Sequence, residues 1–166
     1  MKKTIMILIL SASMAGLSAQ DFNVPKDFVA NKAEDYAKYE SDIILCINWI
    51  MATPVNEQAE KRKSAYAFFI KWLTGTPNVS VGVKSEIVNF MQPNSDLLLI
   101  FMAGWTKYAL ETKDYKNQLI GNEKGIESVI EFYQKNKSNL QKDKNVEKYI
   151  KMKEKGTLED YIKKNL

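Results

Sequence analysis

The sequence predicts an all-α protein, a single compact multi-helix domain of five to seven helices that follows a cleaved signal peptide. Three observations lead there. Apolar residues recur at three- and four-residue spacing in segment after segment. The one stretch of two-residue alternation, Val79, Val81 and Val83, finds no partner strand elsewhere in the chain. The chain also begins with a positive head, a short apolar run and a small-residue exit.

That beginning is Met1-Lys2-Lys3, then Thr4 to Gly16 interrupted only by Thr4, Ser11 and Ser13, then Leu17-Ser18-Ala19. A helix that spans a bilayer needs about 20 apolar residues, and this run is shorter. It therefore reads as a Sec-type signal peptide over residues 1–19, with the mature chain starting at Gln20. A bacterial lipoprotein would place a cysteine at that position. Gln20 cannot take a lipid, so the expected product is soluble and secreted or periplasmic, not an integral membrane protein.

Residues 20–35, with Pro25 and scattered polar groups, read as an irregular leader, and residues 36–166 as the helical domain. From Tyr36, the spacing of Ile43, Cys46, Ile47 and Ile50 predicts a helix that is apolar almost all round. Thr53-Pro54 stops it, because proline lacks an N–H and restricts the residue before it. A second helix is expected from an N-cap at Asn56 to Thr74, with Ala65, Phe68, Phe69, Trp72 and Leu73 inward and Gly75 as a left-handed stop before Pro77. A third, short helix is expected over Ser85 to Met91, with Ile87, Phe90 and Met91 inward.

After Pro93-Asn94-Ser95-Asp96, Leu97, Ile100, Phe101, Gly104, Trp105 and Tyr108 form the stripe of a fourth helix. Ala103-Gly104 lacks bulk in a position where glycine costs about 1 kcal/mol relative to alanine, so a neighbour should pack closely there. Gly121-Asn122-Glu123-Lys124-Gly125 reads as a joint between helices. Ile126, Val129, Ile130 and Tyr133 mark a fifth helix, and Val146, Tyr149, Ile150 and Lys153 a sixth that Gly156 ends. Thr157-Leu158-Glu159-Asp160 resembles a capping box for a terminal helix with Leu158, Tyr161 and Ile162 inward. The expected core is Ile43, Ile47, Phe68, Trp72, Leu97, Phe101 and Trp105.

Composition removes many functions. There is no histidine, which excludes Ser-His-Asp and Cys-His catalysis and histidine-ligated zinc. Cys46 is the only cysteine, so no intramolecular disulfide forms, and its apolar neighbours predict a buried, inert thiol. Without residues 1–19 the chain holds 22 basic groups against 20 acids, which is no nucleic-acid footprint. P-loops, dinucleotide fingerprints, nucleophile elbows and metal motifs are missing, so no metal or cofactor is expected.

What remains is a short set of candidates. Arg62, the only arginine beside 23 lysines, reads either as a carboxylate or phosphate binder or as one half of a salt bridge between helices. Its expected partners are Glu40, Asp42, Glu57 or Gln58. Trp49, Trp72 and Trp105 sit one on each apolar helix, where they serve as core or line an apolar binding pocket. A glycosidase needs two carboxylates and no histidine, and Glu40, Asp42, Glu57, Glu60 and Glu86 flank the apolar helices.

Trp49-Ile50-Met51-Ala52-Thr53-Pro54, then Arg62, then Trp72-Leu73-Thr74-Gly75-Thr76-Pro77-Asn78-Val79, together with the Ser18-Ala19-Gln20 exit, resemble a pattern in small exported helical proteins of Bacteroidota. The resemblance covers roughly residues 36–110. It implies export and an α-helical fold, and it carries no activity and no catalytic residue. The expected function is therefore a non-catalytic binding or interaction protein of the envelope or extracellular space, with an unknown protein or small ligand as partner. The alternative is a carboxylate-dependent, glycosidase-like hydrolase outside the cytoplasm.

Overall fold

Seven helices carry the periodic segments in the computed structural model, which describes residues 22–90 and 92–166. They are α1 (Ala33–Lys38), α2 (Glu40–Ala52), α3 (Ala59–Leu73), α4 (Asp96–Thr112), α5 (Gln118–Lys135), α6 (Lys144–Glu154) and α7 (Leu158–Asn165). No strand occurs among the described residues, and the chain forms one compact all-α domain. The expected signal peptide and its cleavage site, like Met91, lie outside the described residues.

Helix α4 is the middle of the molecule because it is apolar on most of its circumference. It packs against α2 on one side and, along most of its length, against α5 on the other. Helix α3 covers α2, while α6 and α7 cover α5. All seven expected core residues are buried: Ile43 and Ile47 from α2, Phe68 and Trp72 from α3, and Leu97, Phe101 and Trp105 from α4.

The α4–α5 approach is close for a visible reason. Phe101 lies on Gly125, Trp105 lies on Gly121, and Gly104 faces Ser128 and the Lys124 carbonyl. A Cβ on any of the three would collide with these neighbours. The predicted close packing at Gly104 is present. The expected joint at Gly121–Gly125 is instead the second turn of α5, where glycines make room for two aromatic rings.

Several local expectations are corrected. The first predicted helix is two helices, broken at Tyr39, whose ring meets Phe28 edge-on at 4.8 Å and whose hydroxyl donates to the Asp27 carbonyl. Phe28 also meets Phe68 at 5.2 Å, and Phe22 is buried beside Phe68, so residues 22–32 are anchored by rings without being helical. Helix α3 starts after Gln58, in left-handed conformation, rather than after Asn56. Gly75 has no positive φ. Its lack of a side chain leaves room for the Tyr36 ring and hydroxyl.

No helix forms over Ser85 to Met91 within the described residues. The carbonyls that a helix would bond internally are taken by distant donors instead. Tyr161 donates to the Glu86 carbonyl at 2.8 Å, Tyr149 to Ile87 at 2.7 Å, and Asn145 Nδ2 to Asn89 at 2.6 Å. Ile87, Val88 and Phe90 are buried all the same. Before α7, Thr157 makes no cap hydrogen bond and its hydroxyl faces the Met152 carbonyl, so the expected capping box is not formed.

Candidate functional site

Arg62 begins the second turn of α3, and the α2–α3 hairpin places that turn beside the end of α2. It is only 5% exposed, and among the described residues it forms no ion pair. This corrects the expected partnership with Glu40, Asp42, Glu57 or Gln58. Glu40 instead accepts from Lys113 Nζ at 2.7 Å, and Gln58 meets Arg62 only through backbone hydrogen bonding. Arg62 Nη2 donates to the carbonyls of Thr53 (2.7 Å) and Pro54 (2.8 Å), and Nη1 donates to Ile50 and to the Tyr66 hydroxyl (both 3.4 Å).

The counter-charge is thus the end of α2. Aligned peptide dipoles leave partial negative charge on the last carbonyls of a helix, and a cation there is stabilised. Lys135 Nζ adds a second cation at the Met51 and Ala52 carbonyls. The guanidinium also lies within about 6 Å of the Trp49, Tyr66 and Phe132 ring centres. A planar, always-charged fork suits these convergent acceptors, and an ammonium does not. The signal was present in sequence, as one arginine eight residues after the proline that ends a helix. Sequence alone points to a side-chain pair, whereas the backbone supplies the acceptors.

The tryptophans are all buried. Trp49 lies under Lys61 and Arg62, Trp72 Nε1 donates to the Tyr36 carbonyl at 3.0 Å, and Trp105 meets Phe101 edge-on against Gly121. Of the four candidate binding residues, the structure brings together only Arg62 and Trp49. Cys46 is buried, its Sγ faces the Ala65 carbonyl, and burial pushes its thiol up to about 12.

A concavity of about 660 Å³ lies elsewhere, between α4, α5 and α6. The apolar part of its lining is Gly104, Ile130 and Ile150. Around these stand Lys107, Lys124 and Lys153 with Glu111, Glu127, Glu131 and Glu154, joined by Tyr108, Ser128 and Gln134. Glu127 is the pivot, accepting from Lys124 at 2.7 Å within α5 and from Lys153 at 2.9 Å across to α6. Burial alone would raise its carboxyl, but the two lysines outweigh that and hold it below the usual carboxylate range. Lys107 donates to Asn48 Oδ1 at 2.7 Å and so ties the rim to α2.

None of the five carboxylates that the sequence offered to a hydrolase lines this groove. Glu127, which does, is tuned against the raised pKa of a general acid. Sequence reasoning missed the groove because its lining comes from three helices, each contributing residues that look like an ordinary solvated face. Among the described residues, no group of three or more Cys, Asp or Glu is arranged to hold a metal, and no helix is long and apolar enough to cross a membrane. No family model, no curated protein and no solved structure matches the chain.

Proposed function

We propose that this is an exported, soluble, non-catalytic binding protein of the envelope or extracellular space, and that it takes a small ligand in the α4–α5–α6 groove. The observation that carries this reading is the groove itself, about 660 Å³, lined by charges of both signs with Ile130 and Ile150 as its apolar part. Binding sites of this size combine an apolar base with a few convergent polar groups. Three lysines and four glutamates line it together, which suits a ligand bearing both an ammonium and a carboxylate, such as a short peptide. Export rests on the pattern of residues 1–19.

A thermal-shift screen of the purified chain against dipeptides tests the reading. A ligand at 100 times its Kd stabilises the folded state by about 2.7 kcal/mol. The expected result is a melting temperature raised by dipeptides with apolar side chains, an effect lost in Lys153→Glu and in Glu131→Lys. Dipeptides that shift the parent and both variants equally would place binding outside the groove and overturn the reading.

A further inference from the structure

A second charged feature occupies a different face of α6. Lys144, Lys148, Lys151 and Lys155 follow one another at i, i+4, i+7 and i+11, so they fall in one row along the helix and its cap. At a rise of about 1.5 Å per residue the row is about 16 Å long. All four are exposed. Lys142 continues the row beyond the start of α6, and Lys137 stands beside it. Residues 135–155 hold eight lysines against three acids, which is where the basic excess of the chain concentrates.

Of the three acids in this stretch, Glu154 turns toward the groove, and the other two are engaged locally. Asp143 is buried, and its Oδ1 accepts the Asn145 and Val146 N–H groups as the cap of α6. Glu147 accepts from the Tyr133 hydroxyl at 3.3 Å and meets Lys137 at 3.5 Å. Lys148 lies over the Tyr161 ring at 4.8 Å, with no carboxylate against it among the described residues. Lys142, Lys144, Lys151 and Lys155 form no ion pair among the described residues. Two shallow depressions of about 340 and 270 Å³ flank the row and share Lys142 and Glu147.

We propose that this lysine row is a docking surface for a linear polyanion, an acidic polysaccharide whose carboxylates lie along α6. The shape favours a chain over a membrane. The row is one residue wide and carries only lysines, and Val146 and Tyr149 of α6 are buried in the core. The choice of a glycan over a nucleic acid rests on the proposed export. The row itself rests on neither the groove nor its ligand.

The test is fluorescence anisotropy of a labelled polygalacturonate oligomer with the purified full chain, across a salt series. Four neutralised charges predict binding that weakens with salt at a log–log slope of about −3. The triple variant Lys144→Gln, Lys151→Gln, Lys155→Gln, all exposed positions, is expected to lose about tenfold or more in affinity at an unchanged melting temperature. The pair Lys63→Gln, Lys84→Gln on other elements is expected to bind as the parent does. Equal affinity in the triple variant and the parent overturns the proposal. So does a parent that ignores polygalacturonate at about 50 mM salt while binding a DNA oligonucleotide or phosphatidylglycerol vesicles.

Discussion

Arg62 is a buried cation whose counter-charge is backbone, and that makes its replacement informative. Lysine keeps the charge but cannot reach the Ile50, Thr53 and Pro54 carbonyls together. Stranding such acceptors costs about 1–3 kcal/mol, so Arg62→Lys should lower unfolding stability by about 2 kcal/mol in urea titrations. Arg62→Ala adds a cavity beside Trp49 and Phe132 and should cost about 3 kcal/mol or more. Cys46 and Tyr66 make a second residue-scale prediction. Burial pushes each up to about 12, from 9.0 for the thiol and 10.0 for the phenol, with the nearby Asp96 adding to the Tyr66 shift. The folded state then holds protons that the unfolded state has released. The stability these groups provide is complete below pH 9 and is lost as pH rises toward 12. Melting temperature should fall across that window, less steeply in Cys46→Ala, and the native thiol should resist a disulfide reagent at pH 8.

At the scale of elements, the α4–α5 contact is where small residues decide the packing. Alanine is the better helix former by about 1 kcal/mol, yet Gly121→Ala and Gly125→Ala should each destabilise by about 2 kcal/mol net. The added Cβ would run into Trp105 or Phe101, and calorimetric melts of the two variants measure the effect. The helical stripes of α2, α3, α4 and α5 were legible because apolar periodicity is local, and the core residues Ile43, Trp72 and Phe101 followed from it. Residues 85–90 were not, because Tyr149, Tyr161 and Asn145, 56 to 75 residues away, claim the carbonyls a helix there would need. Gly121 and Gly125 misled for a related reason. Read alone they break a helix, and only Trp105 and Phe101 on another element explain them. The groove was illegible for the same cause, since Lys153 and Glu127 become neighbours only once α6 lies against α5.

For the whole molecule, the helical body leaves two charged surfaces with different characters, a mixed-sign groove between three helices and a lysine row on the outer face of α6. The proposed export predicts that mass spectrometry of the product finds a chain that begins at Gln20, because small residues precede that position. Binding in the groove is the central claim, and a backbone amide titration of the labelled protein with the most stabilising dipeptide tests it most directly. The account predicts saturable shifts at Tyr108, Lys124, Glu127, Ser128, Glu131 and Lys153, with the Lys144–Lys151 face of α6 and the Arg62 hairpin unmoved. Saturable shifts confined to other surfaces, or no shift at millimolar ligand, would contradict it.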